Sequence, residues 1–117
     1  METELLKYFL PAGMLDHFDV TSISEFVDST SHAKVLKIEL AEKNIIPKGY
    51  DPNEYESKGF YRPVHIKDFP VRDKALLLVV SRRRWRHKVR KNEDIRSDYK
   101  FTADGARITK DLSDFLK

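Results

Sequence analysis

The chain has 117 residues, 22 of them Lys or Arg and 19 Asp or Glu, for a formal charge of +3. It holds no cysteine, which excludes disulfides and thiolate metal sites and gives no sign of an oxidising compartment. With 40% hydrophobic and 35% charged residues it reads as one globular domain over 1–117, able to bury roughly two-thirds of its unfolded surface.

The acidic start Met-Glu-Thr-Glu lacks the basic opening and apolar core of a secretory signal. The longest apolar run, Ala75 to Val80, is six residues, against the roughly 20 of a membrane span. A cytoplasmic location without membrane contact is expected. Glu2 to Leu10 reads as a short helix with Leu5, Leu6, Phe9 and Leu10 clustered on one face, ended by Pro11 and Gly13. Phe18 to Val27 is rich in β-branched and aromatic residues, so a strand is expected, although its alternation slips. Leu36, Ile38 and Leu40 alternate with Lys37 and Glu39 as a half-buried strand, and the polar loop Asp28 to His32 joins the two as an antiparallel hairpin over 18–42.

Glu42 to Gly59 is punctuated by Pro47, Gly49, Pro52 and Gly59 and reads as an irregular wrap over the sheet, anchored by Tyr50 and Tyr55. Phe60 to Phe69, with prolines at 63 and just beyond at 70, reads as an edge strand or extended connection. Lys74 to Trp85 is the most strand-like segment and starts apolar on both faces, as a central strand does. Arg82 and Arg84 then continue one face while Arg83 and Trp85 continue the other. A strand cannot bury both, so the sheet is expected to end near Ser81. A turn at Lys91 to Asp94 and a returning strand at Ser97 to Thr102 complete a basic ribbon over 74–102. Over 106–117 an amphipathic helix is predicted, with Ile108, Leu112, Phe115 and Leu116 on one face and Thr109 or Asp104 near its N-cap. The fold class is α+β: a small antiparallel sheet with a basic β-ribbon, a short N-terminal helix and a C-terminal amphipathic helix.

Seven of the ten residues Arg82 to Lys91 are basic and none is acidic; without those seven the chain would carry 15 basic and 19 acidic residues. One segment therefore makes the positive charge. Arg82, Arg83, Arg84, Trp85, Arg86, Lys88, Arg90 and Lys91 form a candidate nucleic-acid surface, because guanidinium forks fit phosphates and guanine edges and a ribbon enters the major groove. The plainer reading is a solvated hairpin tip, with Trp85 closing the core at the end of its strand. His17, His32, His65 and His87 show no metal-ligand spacing, and Asp51, Glu54 and Glu56 read as solvating acids. The four glycines are scattered, and no phosphate loop or nucleophile elbow is present. No catalytic residue, metal or cofactor is assigned.

Four segments carry a resemblance: Glu42-Lys43-Asn44-Ile45-Ile46-Pro47, Glu56 to Val64 (Glu-Ser-Lys-Gly-Phe-Tyr-Arg-Pro-Val), Asp68-Phe69-Pro70-Val71-Arg72 and Arg82-Arg83-Arg84-Trp85. Together they resemble the N-terminal region of insertion-sequence transposases of the ISAon type, over most of the chain from about Leu5 to Lys117. The tail from Ala106 to Leu112 is similar to the segment leading into the helix after the zinc ribbon of related transposases. The resemblance implies a non-catalytic module that recognises double-stranded DNA at the element's ends for a separate polypeptide bearing the DDE catalytic domain. Related transposases place cysteine pairs here; this chain has none, so if the ribbon geometry is kept, packing around Trp85 and the Leu76 to Val80 strand must replace the metal.

Two other readings follow from the residues. The chain could dock or oligomerise the catalytic chain through its C-terminal helix and the Gly49 to Tyr61 loop, without reading DNA, and a homodimer is compatible with either role. A small nuclease using His65 or His32 lacks a second catalytic group near either.

Overall fold

The computed structural model describes residues 3–102 and 107–117. The strands form two sheets, one of four strands and one of three. The radius of gyration of 16.0 Å exceeds the about 13 Å of a compact chain of similar length, as an elongated body of 50 × 31 × 29 Å requires.

The first sheet has the order β1-β2-β5-β4, from β1 (Phe18–Val27), β2 (Lys34–Glu42), β4 (Val64–Val71) and β5 (Lys74–Ser81). β1 and β2 form the expected hairpin, and the slipped alternation of β1 is a register shift between Val20 and Ser22. Such a bulge turns the residues beyond it to the opposite face. β5 is central, as its two apolar faces predict. It pairs antiparallel with β4 and parallel with β2, so this sheet is mixed rather than purely antiparallel. The parallel register sets Leu36 beside Leu76, Ile38 beside Leu78 and Leu40 beside Val80, and this stripe is the floor of the main core.

Leu6, Leu10 and Met14 cover that floor. The N-terminal segment is a 3-10 helix at Thr3–Tyr8 followed by a one-turn α1 (Met14–His17). Of the predicted apolar face only Leu6 and Leu10 are buried; Leu5 and Phe9 face outward. A six-residue helix is too short to bury four such side chains on one surface.

The second sheet, β3-β6-β7, consists of β3 (Tyr55–Phe60), β6 (Arg83–His87) and β7 (Asp94–Ile95). Two expectations are corrected here. The 42–59 stretch contains a strand at its end, and the partner of the basic strand is Asp94–Ile95 rather than 97–102. Ser97 instead turns in to the junction between the sheets, and Thr102 makes only an isolated bridge to Thr109. Gly59 sits at the register shift of β3 with φ of 90°, a conformation that side chains with a Cβ rarely take.

Edge strand β4 is covered by the tail. Lys67 N–H donates to the Arg107 carbonyl at 2.9 Å, and Thr109 N–H donates to the Lys67 carbonyl at 2.8 Å. Thr109 Oγ1 also donates to Asp68 Oδ1 at 2.6 Å and accepts from Leu112 N–H, so it is the N-cap of α2 (Lys110–Leu116). The helix is shorter than the 106–117 expected, and residues 103–106, with the other candidate cap Asp104, lie outside the described residues. Phe115 and Leu116 remain 73% and 66% exposed, and the Phe115 ring meets that of Phe69 edge-on at 5.5 Å. Among the described residues no helix is long and apolar enough to cross a membrane.

Candidate nucleic-acid interface

The chain leaves the first sheet at Ser81 and enters the second at Arg83. Arg82 occupies the break, where the sequence expects the apolar strand to stop. At this junction lies the Glu42 carboxylate, only 2% exposed. Its Oε1 accepts from Arg83 N–H at 2.9 Å and its Oε2 accepts from the Ser97 hydroxyl, while its backbone carbonyl accepts from Arg83 Nε at 3.1 Å. Arg83 also donates to Ser57 Oγ at 2.7 Å and sits over the Phe60 ring. Arg82 donates to Ser97 Oγ and to the Tyr99 carbonyl. Burial pushes its guanidinium below its ordinary pKa, against the pull of Glu42. Arg83 thus ties β6 to the end of β2, and Arg82 fastens the 97–99 segment to the same junction.

Beyond the break, period-two alternation sorts the basic run by parity. Trp85 and His87 point inward with Arg83. The Trp85 ring is fully buried with Tyr55 and Ile95, with Ile46 packed against them, and its indole N–H donates to Asn44 Oδ1 at 2.9 Å. The His87 Nδ1 accepts from the N–H groups of Val89 and Arg90 and so holds the turn that follows.

Arg84 and Arg86 point outward. Arg86 grips Asp94 at 2.9 and 3.5 Å, and Arg84 reaches the same carboxylate at 3.8 Å and the Lys58 carbonyl at 3.2 Å. The hydrogen bond from Arg86 holds the Asp94 carboxyl below its usual range and raises the guanidinium in return. On β3, Glu56 lies opposite Arg86 and pairs with Lys58 at 3.3 Å and Lys91 at 3.7 Å. Arg96, one residue beyond the inward Ile95, is exposed over the Tyr61 ring. The outer face therefore gathers Lys58, Arg84, Arg86, Lys91 and Arg96 around Glu56 and Asp94, a net charge of about +3.

The eight sequence candidates are thus split. Arg84, Arg86 and Lys91 share the outer face, and Lys88 and Arg90 sit in the exposed turn, where Arg90 pairs with Glu93 at 3.0 Å. Arg82, Arg83 and Trp85 are turned into the junction and the small core. Sequence reasoning missed Lys58 and Arg96, which join the face only through β3 and β7. The alternation of Tyr55 and Ser57 with Glu56 and Lys58 was the sole signal, and it is weak because only Tyr55 is apolar.

Among the described residues no group of three or more His, Asp or Glu is placed to hold a metal. His17 stacks on Tyr99, and His32 occupies a turn at φ of 61°. Comparison with models of known families, with curated proteins and with solved structures finds no match to this chain.

Proposed function

We propose that the protein binds double-stranded DNA through the outer face of the β3-β6-β7 sheet, as a non-catalytic module that recognises insertion-sequence ends for a separate DDE chain. The observation carrying the DNA part is the parity sorting of the basic run. It lays two outward arginines between Lys58, Lys91 and Arg96 on one three-stranded face. Sheets present side chains to the major groove, and arginine forks read guanine there while lysines meet phosphate. The transposition context rests on the resemblance of the four segments named above.

The test is binding of labelled duplex from the element's ends and of a shuffled duplex across a salt series. A net of three cations gives a slope of log K against log salt of about −2.7. Arg84→Ala with Arg86→Ala should flatten that slope by about 1.8. Unchanged affinity and slope in the double variant would remove this face from consideration.

The exposed Phe115 and Leu116 beside Phe69 favour a second reading, in which α2 docks the catalytic chain. Co-elution of the two polypeptides without DNA, lost in a Phe115→Ser variant, would favour it over the first.

A further inference from the structure

At the junction of the sheets, Ile45, Lys48 and Tyr50 of the connection after β2 line a cleft with His17, Arg96 and Tyr99. Its volume is about 770 Å³, within the roughly 300–1,000 Å³ of small-ligand sites. We propose that this cleft receives one unpaired nucleotide of a DNA strand whose duplex lies on the adjoining basic face. The inference rests on the DNA-binding reading and adds a separate single-strand site to it.

Three observations carry it. First, the walls are aromatic and aliphatic yet open to solvent: Ile45 is 53% and Tyr50 44% exposed. Water-exposed rings gain by stacking on the flat face of a base, whichever base it is. Second, the Tyr99 side is held in place before any ligand arrives. Its ring stacks on His17 at 3.8 Å and 17°, and its carbonyl is gripped by Arg82. Tyr50 is braced edge-on by Tyr55 at 5.4 Å. Little side-chain freedom is then lost on binding.

Third, the polar groups suit a phosphate. Lys48 and Arg96 line the cleft against the lone acid Asp98. Arg96 also belongs to the outer face of the second sheet, so one residue borders both the face and the cleft. A paired base cannot enter, because its flat faces are already stacked in the duplex. The occupant is therefore a nucleotide at an end, a nick or an unpaired step.

Three probes test this: a blunt duplex and the same duplex with a five-nucleotide 3′ or 5′ tail, with 2-aminopurine at the first unpaired position. One stacked base contributes about 1–3 kcal/mol, so a tailed duplex should bind roughly 5- to 150-fold more tightly than the blunt one, with quenching of the 2-aminopurine. Tyr50→Ala and Lys48→Ala should each reduce that preference while blunt-duplex affinity stays unchanged, and Lys48→Ala should leave thermal unfolding unchanged as well. Arg84→Ala with Arg86→Ala should weaken all probes alike. Equal binding of blunt and tailed duplexes, or full tail preference in Tyr50→Ala, overturns the cleft assignment and leaves the duplex face standing. Absence of binding to every probe at low salt overturns both.

Discussion

Replacing Glu42 by Ala removes a carboxylate that links the two sheets. Its oxygens accept from Arg83 N–H and from Ser97 Oγ, and bonds to a charged group contribute about 1.5–3 kcal/mol each. The loss also takes from half-buried Arg82 the stronger of the two carboxylates that favour its charge, with Asp98 remaining. Two such bonds make the expected loss in Glu42→Ala about 3–6 kcal/mol, from a total that is about 5–15 for a domain. In equilibrium urea unfolding this moves the midpoint down by about 2 M for a slope of about 2 kcal/mol/M. Glu42→Gln keeps the shape and one acceptor oxygen, and should lose about half as much. A double-mutant cycle with Arg82→Met should show positive coupling, because the second change removes the stranded charge. A loss below about 1 kcal/mol in Glu42→Ala, with no coupling to Arg82, would refute the claim that this carboxylate joins the sheets.

Thr109→Ala removes both the α2 cap and the partner of Asp68, at a cost of about 1–3 kcal/mol. Hydrogen exchange should then quicken over 107–117 while β2 and β5 stay protected. Trp85 is the only tryptophan and is fully buried, so its emission should be blue-shifted in the native state, red-shift on unfolding and change little when DNA is added. A large quench on DNA binding would mean the small core opens. Stability should fall as pH drops from about 5 towards 2. Hydrogen bonds from Arg86, Arg90 and Lys34 depress the carboxyls of Asp94, Glu93 and Asp73, respectively. Groups of this kind stabilise the fold above the unfolded carboxyl range and lose that contribution as acid protonates them. A urea midpoint that is flat from pH 6 to pH 3 would contradict this.

β2 was legible because its apolar residues alternate at period two over one core, and the central strand because its run is apolar on both faces. The stop near Ser81 was legible for an electrostatic reason, since arginines on both faces cannot be buried without partners. What the sequence could not show is where those partners come from. Glu42 lies 41 positions before Arg83 and looked like the start of a loop. β3 escaped because Glu56, Ser57, Lys58 and Gly59 carry no apolar alternation; backbone pairing with β6 and the anchor of Tyr55 make it a strand. The 97–102 segment was misplaced because Tyr99 and Phe101 look like strand residues, yet they pack on the first core instead. The basic run looked like one surface, and alternation about a buried Trp85 divided it in two.

The order in which strands are dealt to the two sheets has a genetic consequence. β3 goes to the second sheet before β4 and β5 complete the first, and β6 follows directly on β5. Any crossover point between Phe18 and Ile95 therefore gives the strands of at least one sheet two different parents. Recombination between diverged relatives cannot exchange the basic sheet alone, because β3 would have to travel without β4 and β5. The charge pattern of the outer face must then change by point substitutions, at positions such as Lys58, Arg84, Arg86 and Arg96, while the pair of sheets is inherited whole.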